Sequence, residues 1–239
     1  MHARLMVDGQ NQLQELREPA VPQPPVLRAI AQVISYIFHP VFVPVMVVAF
    51  LLYVHPYMFI GFRGIQKGWI LAMSVVSFTM FPLVTVLLLK GLKFIDTIYL
   101  KTQKDRVIPF IACMTWYFWI TYVWFNFGKT RDAIDMPKEA ILFAAAAFLS
   151  TIIGLMVNIK IKVSLHAISA GLVLAFFILL AFTQELNFGI WLSIVLFITG
   201  LVCTARLIVS DHTNLEIYGG LVVGAVSVLL ARFAVGIFT

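Results

Sequence analysis

Seven stretches, at about 29–54, 69–90, 107–126, 138–158, 164–183, 188–209 and 216–237, are almost unbroken apolar sequence, each about the 20 residues an α-helix needs to cross the hydrocarbon core of a bilayer. Strands of a membrane barrel would have to alternate apolar and polar residues, and these runs do not. The chain is therefore expected to be all-α, a polytopic transmembrane helical bundle of six or seven spans. The composition agrees, with 62% of residues hydrophobic and only 12% charged. A water-soluble domain of this size could not hide that much apolar surface, which excludes soluble enzymes, nucleic-acid-binding modules and secreted disulfide scaffolds.

The remaining sequence organises itself around those runs. Residues 1–28 are polar and proline-rich, carrying Pro19, Pro22, Pro24 and Pro25, and are read as a tail; residues 29–239 make up the membrane domain. The tail has no apolar core of the kind a cleaved signal peptide carries. The net charge is +6, but the cations sit in short connections between apolar runs, so membrane lipids and phosphate groups are the expected partners, and nucleic acid is not. Cys113 and Cys203 both lie inside apolar runs and read as small core residues. The tryptophans fall toward run ends or in the third run, as interfacial aromatics do. His39-Pro40 in the first run implies a kink and no chemistry. Gly219, Gly220 and Gly224 imply close helix packing in the last run.

Ionisable residues near hydrocarbon are functional candidates by default, because placing them there is costly. Alternating spans put connections 91–106, 159–163 and 210–215 on one side of the membrane with the N-terminal tail. That side carries Lys101, Lys104, Asp105 and Arg106, then Lys160, Lys162 and His166, then Arg206, Asp211, His212 and Glu216. Cations with two imidazoles suit phosphoryl transfer: Lys and Arg neutralise phosphate oxygens, one His attacks and the other protonates the leaving oxygen. Acidic residues are too few and scattered for a magnesium site, and no metal or cofactor motif is present, so none is expected.

These residues resemble the type-2 phosphatidic acid phosphatase superfamily, whose motifs are K-x6-R-P, P-S-G-H and S-R-x5-H-x3-D. The third is similar to Ala205-Arg206, His212 and Glu216, with Glu in place of Asp; the second to Val163-Ser164-Leu165-His166, lacking the proline and glycine. The first is represented by Lys101, Lys104, Arg106 and Pro109 in altered spacing. The resemblance spans roughly Lys101 to Gly220. It implies a membrane-embedded, metal-independent phosphatase acting on a lipid phosphate or pyrophosphate, with undecaprenyl pyrophosphate, phosphatidylglycerol phosphate and a lipid A phosphate as candidates. It implies His212 as nucleophile, Glu216 as the group orienting it and His166 as acid then base. Arg206, Arg106, Ser164, Lys101 and Lys104 would bind phosphate.

The same resemblance favours a bacterial inner membrane with the site on its periplasmic face. Charge gives no independent guide. Lys and Arg are more numerous on the side of the cluster, but without Lys101, Lys104, Arg106, Lys162 and Arg206 the two sides carry equal numbers. Two alternatives stay open: a phosphotransferase that passes the phosphoryl group to another lipid, and a transporter or noncatalytic binder that uses the cationic face for anions. Glu216 also has a purely structural reading, because Thr213-x-x-Glu216 ahead of an apolar run is a capping-box pattern.

Overall fold

The computed structural model describes residues 5–7, 13–15, 23–94, 103–127, 135–184, 186–209 and 212–238, without side chains for 5–7, 13–15, 103–105 and 237–238. It is a helical membrane protein. Helix α1 covers Pro25–Ile37, α2 Val43–Ala49, α3 Gly64–Ser74 and α4 Phe81–Gly91. Helices α5 (Gln103–Phe125), α6 (Lys138–Asn158), α7 (Leu165–Thr183), α8 (Gly189–Val209) and α9 (Asn214–Phe238) follow. A π-helical stretch, Val75–Met80, joins α3 and α4 into one rod. Among the described residues, six helices are long and apolar enough to span: Gly64–Gly91, Arg106–Phe125, Lys138–Asn158, Leu165–Thr183, Gly189–Val209 and Asn214–Gly236. The tail contains a short antiparallel pair, Leu5–Val7 with Leu13–Glu15, and α1 begins at Pro25, inside the stretch the sequence assigns to the tail.

The first apolar run is not one helix. It is divided into α1 and α2, and α2 runs on into a π-helical turn at Phe50–Val54. Proline explains the division. A residue before proline is pushed out of the α conformation, which acts on His39, and Pro40 itself offers no N–H. Pro44 then begins the next helix within its first turn, where proline is tolerated.

Two compact units make up the chain. One contains residues 40–152 and 227–239. Its core is aromatic: Phe78, fully buried in the π-helical stretch, makes edge contacts with Tyr117 and Trp124 of α5. Trp124 is thus a core residue, not an interfacial one, whereas Trp69 and Trp119 are exposed. Cys113 and Cys203 are free thiols.

The other unit contains residues 1–39 and 153–226, with α8 packed against both α1 and α7. Helices α7 and α9 approach until their backbones touch. A Cβ on Gly220 would lie 2.8 Å from the Ala167 Cβ and 2.9 Å from the Ser164 carbonyl oxygen. On Gly224 it would overlap the Ile168 carbonyl and the Leu172 nitrogen, and on Gly171 the Leu221 carbonyl. Gly219 has only an ordinary contact with Val163. Small residues permit such approach, and in a membrane dispersion between close backbones replaces the hydrophobic force that lipid removes.

Gly224→Ala should therefore force α7 and α9 apart and lower the thermal unfolding midpoint in detergent, by the few degrees that about 1–3 kcal/mol of overpacking implies. Gly200→Ala, at a position with open space around it, should not. Equal midpoints for the two variants would contradict the packing described.

Candidate active site

The start of α7 meets the first turn of α9. The backbone N–H of Ser164 donates to the Glu216 carbonyl at 3.1 Å. Ser164 is the N-cap of α7, its hydroxyl accepting from the Ala167 N–H at 3.4 Å, and it is fully buried. His166 lies one residue into the helix. At the other helix the N-cap is Thr213, whose Oγ1 accepts from the Glu216 N–H at 3.3 Å. Glu216 answers with Oε2, which accepts from the Thr213 N–H at 3.3 Å. The capping box is present.

It is not the only work of that carboxylate. Oε2 also accepts from His212, whose Nδ1 lies 2.6 Å away. The helix begins at Asn214, so His212 meets Glu216 because the cap folds the chain back, not because the two share a helical face. The His212 side chain is 5% exposed and that of Glu216 14%, so the pair is sheltered from the screening that weakens surface ion pairs. With Nδ1 donating to the carboxylate, the lone pair of the neutral imidazole sits on Nε2.

His166 is oriented by a different partner. Its Nε2 lies 3.0 Å from the carbonyl oxygen of Ser35, in the last turn of α1. A carbonyl only accepts, so Nε2 carries a proton and donates. Arg206, near the end of α8 and partly buried, lies within electrostatic reach of His166, as does His212.

Sequence reasoning missed one member of this cluster. The ring of His39 meets that of His166 edge-on, with centroids 5.3 Å apart. Burial, and then the Arg206 guanidinium, hold the His39 imidazole below its usual range. The signal was available: His39 is an ionisable residue inside an apolar run, the criterion that selected the others. Its neighbour Pro40 suggested a kink and concealed it.

One unit thus contains Ser35, His39, Ser164, His166, Arg206, His212 and Glu216. Arg106 is buried in the first turns of α5, in the other unit. Lys104 lies in that helix with its side chain outside the described residues, as does the side chain of Asp105; Lys101 and Asp211 lie outside them altogether. Among the described residues no three His, Cys, Asp or Glu side chains converge as a metal site would require. Chemically, the cluster offers a nucleophilic imidazole backed by a carboxylate, a second imidazole with a proton to exchange, and a guanidinium suited to phosphate or carboxylate oxygens. Comparisons with protein-family models, with curated proteins and with solved structures return no match.

Because one oxygen of Glu216 takes both hydrogen bonds, Glu216→Gln can keep both with its amide oxygen. Its unfolding midpoint should stay near that of the parent. Glu216→Ala loses the cap and the imidazole contact together and should cost about 1–2 kcal/mol, read as a lowered midpoint. A Gln variant as unstable as the Ala variant would contradict the shared-oxygen geometry.

Proposed function

We propose that the protein is a membrane-embedded phosphatase of the type-2 phosphatidic acid phosphatase kind, acting on a lipid phosphate or lipid pyrophosphate without a metal. The observation that supports it most directly is the 2.6 Å contact of His212 Nδ1 with Glu216. It leaves Nε2 as the attacking atom and places a negative charge where the imidazole becomes cationic, the arrangement known from carboxylate-backed histidines elsewhere. Arg206 supplies a planar pair of donors for two phosphate oxygens.

In this reading Nε2 of His212 forms a bond to phosphorus. The bond to the leaving oxygen breaks with its electron pair, and that oxygen takes a proton from His166. Water then attacks the phosphohistidine, gives its proton back to His166, and the P–N electron pair returns to His212. No proton is gained or lost by the enzyme over the cycle. Ser164, enclosed and committed to capping, serves mainly to hold α7 and α9 together; a phosphate-binding role for Arg106, Lys101 and Lys104 is carried by the family resemblance alone, since Arg106 belongs to the other unit and the side chains of Lys101 and Lys104 lie outside the described residues. A bacterial inner membrane with an outward-facing site is the proposed setting. Passing the phosphoryl group to a lipid hydroxyl instead of water would need the same residues.

The test is phosphate release from dioctanoyl phosphatidic acid in detergent with excess chelator. Activity should persist in chelator, and His212→Ala should abolish it while the protein remains folded and membrane-inserted. Glu216→Gln should slow turnover by about 10²–10⁴-fold. Loss of activity in chelator with recovery on adding magnesium would remove this mechanism. Full activity of the Gln variant would reduce Glu216 to a helix cap.

Arg206→Lys keeps the charge but not the fork, and should be severely impaired. If its turnover matched the parent, Arg206 would be an interfacial anchor.

A further inference from the structure

Helix α1 stops where it does because of Pro40, and its last backbone bond runs from the Phe38 N–H to the Ile34 carbonyl. Ser35 is the next residue, so its carbonyl lies just past the last one the helix uses. In apolar surroundings such a group needs a donor, and the Nε2–H of His166 supplies it. One residue before Pro40, the His39 ring stands at 86° to the His166 ring. The carbonyl fixes the His166 ring within its plane and fixes its tautomer. The perpendicular ring of His39 limits its rotation out of that plane.

We propose that the broken end of α1 is a working part of the site: the Ser35 carbonyl and the His39 ring position His166 so that its Nδ1, and not its Nε2, exchanges the proton with substrate. His39 is a positioning residue in this scheme, and the inference rests on the reading of the cluster as a phosphoryl-transfer site. The charge balance is consistent with it. When His166 is cationic, Nε2–H stays on the carbonyl while Nδ1–H goes to the leaving oxygen; the neutral ring that remains is the tautomer Ser35 holds. The ring need not turn between the two steps, so the same Nδ1 is ready to take the proton of the attacking water.

Two measurements test it, and they fail separately. The first concerns structure alone. In ¹⁵N-histidine-labelled protein in phosphatidylcholine bilayers, at a pH high enough to remove the second ring proton, the His166 resonances, identified by their loss in His166→Gln, should report a neutral ring protonated at Nε2. Pro40→Ala lets α1 continue through His39, whose N–H then competes for the Ser35 carbonyl; the His166 signals should become a mixture of tautomers. A neutral ring protonated at Nδ1 in the parent, or an unchanged spectrum in Pro40→Ala, overturns the proposal.

The second uses the leaving group. Alkyl oxygens need protonation to depart and nitrophenolate does not. Values of kcat/KM, which report through the first chemical step, should fall about 10²-fold for His39→Ala on dioctanoyl phosphatidic acid, as expected for a misplaced catalytic group. On p-nitrophenyl phosphate they should fall much less. His39→Phe, which keeps a ring against His166, should recover most of the lipid-phosphate loss. Equal losses on both substrates would make His39 a packing residue only and overturn the proposal. A parent protein inactive on both substrates would instead refute the phosphatase reading, while the resonance measurement would still decide whether α1 fixes the His166 tautomer.

Discussion

The hydrogen bond from the Ser164 N–H to the Glu216 carbonyl is the joint on which the site depends. It pins the start of α7 to the first turn of α9, and two histidines remote in sequence are placed by it, one just inside α7 and one just before α9. The bond is possible only because residue 220 lacks a side chain, since a Cβ there would meet the Ser164 carbonyl and the Ala167 methyl. Further along, Gly171 and Gly224 continue the same approach. In lipid, where burying apolar side chains against each other gains little, such backbone contact is the main source of helix association. Packing and site geometry are therefore one set of residues.

The capping box and the imidazole contact at Glu216 look like rival explanations of one residue, and the structure satisfies both with one oxygen. The reason is geometric. A carboxylate at the third helical position must reach back toward the N-cap to close the box. The residue before the cap, here His212, lies in that same direction. A histidine there presents its Nδ1–H to an oxygen already fixed by the Thr213 N–H. The cap thus does the orienting that a separate supporting residue would otherwise provide, and the positive end of the helix dipole adds to the field at the carboxylate.

Much of this was legible in the chain. Continuous apolar runs gave the helical membrane class, because run length and lack of alternation are properties of sequence alone. His166, Arg206, His212 and Glu216 were legible as expensive residues close to apolar runs, and Gly220 and Gly224 as packing points. The break in the first run was less so. Hydropathy does not register proline, and Phe42 to Ala49 is as apolar as any span. Trp124 was misplaced because its position near a run end is shared by buried and interfacial tryptophans; the edge contact with Phe78 is tertiary and has no local signature. His39 was missed for a related reason. Its meaning depends on which helix end it faces, and only the packing of α1 and α7 against α8 supplies that.

The broken helix exposes backbone groups on both sides of Pro40, and the two are satisfied differently. Beyond the break, within its own unit, the Val41 carbonyl accepts from the Thr79 hydroxyl at 2.8 Å. Before the break, the Ser35 carbonyl accepts from His166. A hydroxyl is sufficient for the purpose, as Thr79 demonstrates, and a threonine is far cheaper than a histidine to place among apolar residues. The imidazole differs in having a second nitrogen that the carbonyl does not use. Satisfying a carbonyl with one ring nitrogen sets the tautomer of the neutral ring and leaves the other nitrogen to carry its lone pair, a second site that a hydroxyl on a single rotatable oxygen does not offer. The requirement that every polar backbone group in an apolar environment find a partner thus also decides which nitrogen of His166 is left unused by the carbonyl.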